Sequence, residues 1–199
     1  TMARPMFRLF DRTARPSTIA DLLFADCVQR SRDVRFYRDC AVGDTVAGRF
    51  EMLALHVALL MRRLGRIEPA GLKISRALAE VMFASLDDDM RELGVGYLSV
   101  PKKMRKTAAA FYGRAASYDA ALAGGDEAAL VAALERNIYG SAAGAAATAA
   151  APAVTRLAAD IRELTGRLDA ATDQDVLAAR GFELRSGSVD DSGEARRAS

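Results

Sequence analysis

The sequence has few of the residues that build catalytic and metal sites. It contains one histidine, His56, and two cysteines, Cys27 and Cys40. A histidine-based metal site or a hydrolase triad needs partners for His56 that are scarce or absent here. The cysteines have no CxxC spacing and no adjacent histidine, and their spacing does not define a disulfide. We therefore predict that both pack as thiols in a reducing compartment and that His56 is satisfied locally at a helix edge.

Long apolar runs are also missing, although 51% of the residues are hydrophobic. The longest run, Met52 to Met61, contains His56 and has charged residues on both sides. It falls well short of the roughly 20 apolar residues that a membrane span needs. A core helix explains it better than the apolar region of a signal peptide, so we expect a soluble chain without an export signal.

The net charge of only +2 argues against a general DNA- or RNA-binding protein. Positive charge is nonetheless concentrated at two places, and one of them is the start of a predicted helix: Lys102, Lys103, Arg105 and Lys106. The helix macrodipole opposes cations at that end by about a few tenths of a kcal/mol each. Two interpretations stay open, a solvated face or a site for an anionic protein loop, lipid headgroup or RNA.

The other concentration of positive charge is the N-terminal segment 3–16, which interleaves arginines with Phe7, Leu9 and Phe10. It could lie on an anionic membrane surface, and it fits a disordered basic tail equally well. In the first case the contact residues are Arg4, Phe7, Arg8, Phe10 and Arg12.

Apolar residues recur at spacings of three and four over most of the chain, which is typical of helices. Ser99 and Asp126 are suitable N-caps, as is Ser17 or Thr18 for the first helix, and residues 36–48 resemble a connection. We predict an all-α fold, an irregular bundle of about six or seven helices in a single domain over 17–180. Segment 1–16 is expected to be flexible and 181–199 disordered. The predicted helices cover about 18–33, 45–64, 74–93, 100–123, 127–139 and 154–168, with a short turn at 175–179.

The acidic cluster Asp87, Asp88 and Asp89, followed by Glu92, gives the sharpest enzyme hypothesis. Helical isoprenoid enzymes carry aspartate-rich helices, but they need a second acidic motif to hold magnesium and diphosphate. No second cluster lies in a predicted helix, so a solvated acidic face is favoured. For the nearby tyrosines, Tyr112 and Tyr118, we predict core packing.

Residues 89–104, with the sequence DMRELGVGYLSVPKKM, resemble the signature of the ubiquinol-cytochrome c chaperone family. FYGR at 111–114, Tyr118, RNIY at 136–139 and the segment 50–56 extend the resemblance to roughly residues 20–170. Tyr97 departs from the pattern, because a small acidic residue is expected in this glycine turn.

The resemblance implies a helical, non-enzymatic protein without a cofactor that assists early assembly of cytochrome b for the cytochrome bc1 complex. Implied partners are newly made cytochrome b, the ribosome and a second assembly factor, with peripheral membrane contact and no DNA. The implied location is cytoplasmic or at the cytoplasmic face of the inner membrane. The implied partner-binding residues are Lys102, Lys103, Arg105, Lys106 and Arg114, followed by Asp89, Arg91, Glu92 and Tyr97.

Two alternatives remain open beside this interpretation. The basic patches suit a ribosome-, RNA- or membrane-surface-binding helical adaptor. The aspartate cluster would suit a magnesium-dependent enzyme acting on a prenyl diphosphate.

Overall fold

The computed structural model describes residues 18–92, 100–140 and 151–179, and every regular element within these ranges is helical. They form eight α-helices and one π-helical turn, and six of the α-helices have between 8 and 25 residues. The prediction of an all-α bundle is confirmed, whereas the predicted tails 1–16 and 181–199 lie outside the described ranges. The elements are α1 (Ile19–Ser31), α2 (Val34–Arg38), α3 (Val46–Leu64), α4 (Ala70–Glu92), α5 (Val100–Gly124), α6 (Glu127–Leu134), the π-turn (Glu135–Tyr139), α7 (Ala151–Ala170) and α8 (Asp173–Leu177).

Polar side chains start three of these helices, at the two predicted caps Thr18 and Asp126 and at Thr45, while the predicted cap Ser99 lies outside the described residues. The Thr18 hydroxyl accepts from the Asp21 N–H at 3.1 Å, and the Asp21 carboxylate accepts from the Thr18 N–H, which completes a capping box. Thr45 caps α3 and Asp126 caps α6 in the same way, each through the N–H three residues later. These caps satisfy otherwise orphaned amides and fix where the helices begin.

Helix α3 forms the centre of the bundle, where it contacts α1, α4, α5, the π-turn and α7. Residues 51–60 are buried without exception. The three-four spacing of Phe50, Leu53, Val57, Met61 and Leu64 predicts a single buried stripe. That prediction is incomplete, because Leu55 and Leu59 lie off this stripe and are also buried. Two members of the stripe, Phe50 and Met61, are only half-buried. A helix with apolar residues all round requires neighbours on every side.

Gly71 allows α4 to begin close to the end of α3. A Cβ atom at this position would lie deep inside the van der Waals radius of the Leu64 carbonyl oxygen and close to the Ile67 side chain. Because one obstacle is backbone, no side-chain rotation could relieve the clash. The turn between α3 and α4 therefore depends on glycine at this position.

The predicted connection 36–48 begins inside a helix, because residues 36–38 belong to α2. The prediction is wrong for these three residues. Asp33 caps this short helix by accepting from the Arg35 N–H at 3.0 Å. Phe36 is 1% exposed, and its ring lies 5.5 Å from that of His56. One turn of helix here seals the core with an aromatic side chain, which a search for long periodic stretches does not detect.

Helix α6 changes to π-helical geometry over Glu135–Tyr139. The wider turn places three consecutive side chains, Asn137, Ile138 and Tyr139, in buried positions. The Tyr139 hydroxyl donates to the carbonyl oxygen of Cys40 at 2.6 Å, and the Asn137 amide donates to the Ser117 hydroxyl at 3.2 Å. The π-turn thus attaches α6 to the loop after α2 and to α5.

Arg63, at the end of α3, binds the end of α7. Arg63 donates from Nε to the carbonyl oxygen of Leu168 and from Nη2 to that of Ala171, both at 2.8 Å. It also pairs with Asp173 at 2.6 Å. These bonds satisfy carbonyl groups that have no partner within α7.

Candidate interaction surface

The four predicted cations at the beginning of α5 are all exposed, and we call Lys102, Lys103, Arg105 and Lys106 the basic start. Within the part of the chain that the structure describes, none of them forms an ion pair. All five arginines of α2 and α3 differ in this respect, because each pairs with a carboxylate. The macrodipole opposes these four charges, and no described carboxylate compensates them. The basic start is thus available to an anionic partner.

The acidic residues at the end of α4 do not converge on one point. Asp87 pairs with Arg91 at 2.7 Å, Asp88 is exposed, and Asp89 is 8% exposed. Successive residues on a helix point about 100° apart, so three neighbours cannot hold a single ion. Over the described ranges, no group of three or more His, Cys, Asp or Glu side chains could hold a metal ion. This geometry gives no support to the magnesium hypothesis.

Arg114 lies in an internal ion pair and not on the basic start. Its guanidinium is 2.9 Å from the carboxylate of Glu51 on α3. The exposed fractions of the two side chains are 21% and 6%. We therefore assign Arg114 to the joining of α5 and α3, although the family resemblance implied a role in partner binding.

The remaining predicted contact residues occupy different environments. Arg91 and Glu92 are exposed at the end of α4, whereas Asp89 is buried and unsuited to direct contact. Tyr97 and the glycine turn lie outside the described residues. The same holds for the N-terminal set Arg4, Phe7, Arg8, Phe10 and Arg12.

Tyr112 corrects the prediction that both nearby tyrosines belong to the core. Tyr118 is 3% exposed as predicted, but Tyr112 is 50% exposed. The Tyr112 ring packs beside Phe111 and Phe83, with centroid distances of 5.2 and 6.3 Å. Tyr112 follows the buried Phe111 by one residue and thus points about 100° away from it around the helix axis. This one-residue offset was already visible in the sequence.

His56 and the two cysteines belong to the core. His56 is 2% exposed and thus does not lie at a helix edge. Its Nδ1 donates to the Met52 carbonyl oxygen at 2.7 Å, but its buried Nε2 has no hydrogen-bond partner among the described residues, so the predicted local satisfaction holds for one ring nitrogen. Burial lowers the pKa of His56 to about 4. Both cysteines are buried and free, as predicted, and burial raises the pKa of Cys40 to about 11.

Comparison with known proteins decides the family. The model of the ubiquinol-cytochrome C chaperone family matches residues 38–183, which include every segment on which the resemblance was based. The chain belongs to the ubiquinol-cytochrome c chaperone family. This confirms the prediction from the motif at 89–104, although the matched range begins and ends later than the predicted 20–170.

Two relatives of this chaperone-family member are informative. The crystal structure of the Cbp3 homolog from Brucella abortus is 36% identical, with a TM-score of 0.71 over 80% of this chain and 85% of that chain. Ubiquinol-cytochrome-c reductase complex assembly factor 1 from Xenopus laevis is 26% identical over 116 residues. The chain spans 58% of the length of that curated relative.

The family segments have distinct places in this chaperone. Phe111 is buried, Arg114 pairs with α3, and segment 136–139 lies in the π-turn. Tyr112 and Gly113 are exposed, as is the basic start. The family signature therefore contains both residues that hold the fold together and residues that face solvent. In the described ranges no helix is both long and apolar enough to cross a membrane.

Proposed function

We propose that this chain is an assembly chaperone of the cytochrome bc1 complex and that it binds newly made cytochrome b. Membership of the ubiquinol-cytochrome c chaperone family supports this role, as does the similarity to a reductase complex assembly factor. On this proposal the protein is not an enzyme and needs no cofactor. It works in the cytoplasm or at the cytoplasmic face of the inner membrane.

The observation that carries the proposal is the exposed charge of the basic start, which no carboxylate of the described residues neutralises. A helical face beside these cations covers apolar or unfinished parts of the client and so protects them from aggregation. The cations attract acidic groups of the client and raise the rate of association more than the final affinity. The chaperone then leaves when assembly proceeds.

Deletion of the gene in the host organism tests the role directly. We expect less b-type haem in membrane absorption spectra and lower bc1 activity, and re-expression of the full chain should restore both. A deletion strain with a normal b-type haem spectrum and normal bc1 activity would refute the proposal.

Charge reversal tests the surface. We expect the variant with glutamate at all four positions of the basic start to recover roughly tenfold less cytochrome b from solubilised membranes. The control is Lys73→Glu with Arg76→Glu on α4, and its matched partner in the basic start is Lys102→Glu with Lys103→Glu; all four cations are exposed. Equal recovery by both variants would show that the basic start does not bind the client.

The basic start also favours a second candidate, binding to the ribosome or another RNA, either as an alternative role or beside the first. Binding to phosphates releases counterions, so co-sedimentation with ribosomes should fall steeply with salt concentration. Co-sedimentation that is absent, or that does not change with salt, would remove this candidate. A second assembly factor, if required, should appear in the same pull-down as cytochrome b.

A further inference from the structure

One exposed face of α5 has almost no charge, and we call its five residues the α5 stripe. At about 100° per residue they fall within an arc of roughly 100° on the helix surface. Lys102 and Arg105 continue the same arc into the basic start. All five are exposed: Ala109, Tyr112, Gly113, Ala116 and Ala120.

The composition of the α5 stripe is unusual for a helix face in water. Between Lys106 and Asp119 the only charged residue is Arg114, and it is turned inward to Glu51. A solvent-facing helix surface normally carries polar and charged side chains. This face instead offers small side chains and one half-exposed aromatic ring, Tyr112.

Gly113 has no role inside the described fold that would explain it. A Cβ atom at this position would meet nothing within 4 Å, whereas at Gly71 it would strike backbone. Glycine in a helix interior is less favourable than alanine. Its neighbours on the surface are alanines, and small residues spaced in this way let a second helix approach the backbone closely.

We propose that the α5 stripe is the docking face for one α-helix of a partner protein. The partner helix has an apolar contact side and carries Asp or Glu near the end that reaches the basic start. This inference rests on the proposed function, which makes the partner a helix of the client. The inference adds that the client is bound through one of its helices, which packs along the α5 stripe.

Charge and side-chain size favour this occupant over three others. A second copy of the chain would bring four further cations, and Asp119, the carboxylate next to Ala120 in the sequence, already pairs with Arg62 at 3.0 Å. A lipid surface would suit the cations, but alanine and glycine offer no bulky groups to insert. RNA would suit the cations and Tyr112, but the rest of the α5 stripe has no polar group for phosphate or base edges.

Site-specific crosslinking tests the docking face in cells that make the full chain and cytochrome b. The photoreactive residue p-benzoylphenylalanine replaces Ala116 on the α5 stripe or, as a control, the exposed Ala159 on α7. We expect an adduct with a helix of cytochrome b from position 116 and none from position 159. Equal adducts at both positions, or an adduct with a second copy, lipid or RNA, would overturn the inference.

Bulk at the centre of the α5 stripe gives an independent test. Gly113 and Gly166 both lie in helix interiors, exposed and with open space around them, so Gly113→Leu and Gly166→Leu form a matched pair. We expect Gly113→Leu to recover about tenfold less cytochrome b and Gly166→Leu to recover normal amounts. Circular dichroism and thermal melting should show that both variants are folded. If Gly113→Leu does not fold, Ala116→Leu takes its place.

The outcomes separate this inference from the proposed function. Loss of binding on charge reversal, but not with Gly113→Leu, would leave the client role intact and refute the docking face. Failure of the unaltered chain to recover cytochrome b would refute the proposed function and, with it, this inference.

Discussion

The ion pair between Arg114 and Glu51 gives a quantitative test of how α5 is held against α3. Arg114→Met removes the cation and keeps an unbranched side chain of similar reach. Glu51 would then be left in the part of α3 that is buried throughout, with 6% of its side chain exposed and without the guanidinium 2.9 Å away.

The expected loss follows from burial and distance. Two unit charges about 4 Å apart attract by about 4 kcal/mol at an effective dielectric constant of about 20. Removing one partner of a buried pair costs about 3–5 kcal/mol, because the other charge remains desolvated. Arg114 is 21% exposed, so water can enter in its place and the lower figure applies. We expect Arg114→Met to lower the free energy of unfolding by about 3 kcal/mol.

Thermal and urea unfolding followed by circular dichroism measure this change. For a chain of this length 1 kcal/mol corresponds to about 2–4 °C, so Tm should fall by about 6–12 °C. Arg167→Met is the control, because Arg167 and Glu163 form a more exposed pair at 3.5 Å on α7, worth about 0.5 kcal/mol or less. The double variant with Glu51→Gln should recover much of the loss.

A change for Arg114→Met within 0.5 kcal/mol of the control would refute the argument, since Glu51 would then be neutral or hydrated in the native state. A large change has a practical consequence. Weak client binding by an Arg114 variant would reflect the stability of α5 rather than a lost contact. The basic start and the α5 stripe are therefore better places for binding variants.

Three further predictions concern other parts of the fold. The pKa of His56 is about 4 in the folded chain and about 6.5 unfolded, so the neutral form stabilises the fold above pH 6.5. That stability should fall by up to about 1.4 kcal/mol per pH unit as the pH drops from 6.5 towards 4, and His56→Gln should lessen the slope in urea unfolding. Arg63→Met should cost about 2–4 kcal/mol in the same assay, because it leaves two carbonyl groups at the end of α7 without partners, and a loss below 1 kcal/mol would show that water replaces them. Gly71→Ala should lower Tm strongly. Gly113→Ala should raise the free energy of unfolding by about 1 kcal/mol, the helix-propensity difference between the two residues, and so raise Tm by about 2–4 °C. Equal effects of the two alanine variants would contradict the close contact at Gly71.

The long helices could be predicted from the sequence because their signals are local. Spacings of three and four mark the buried faces, and Thr18 and Asp126 mark two first turns, where each cap bonds a backbone amide three residues later. Exposure of the basic start also agrees with the sequence, because both interpretations left open there, a solvated face and a site for an anionic partner, need side chains at the surface.

The contacts between helices could not be predicted in the same way. Arg114 and Glu51 lie 63 residues apart, and nothing in the local sequence of either one indicates the other. Tyr112 was assigned to the core because it is aromatic and lies near the buried face of α5, yet the helix turns it towards solvent. Short α2 carries too few residues for a periodic pattern, and its role depends on Phe36 reaching the ring of His56.

The π-turn makes this chain tolerant of a kind of mutation that ordinarily disrupts a helix. A π-helical turn holds one residue more than an α-helical turn, so deletion of a single residue within 135–139 would restore regular α-helix. The side chains on either side would then keep roughly their directions, whereas the same deletion within α3 would rotate every later side chain by roughly 100° about the helix axis. Deletion of the exposed Glu135 or Arg136 should therefore keep the bond from Tyr139 to the Cys40 carbonyl and the burial of Ile138. Among homologous sequences, single-residue gaps should be commoner at these five positions than within α3.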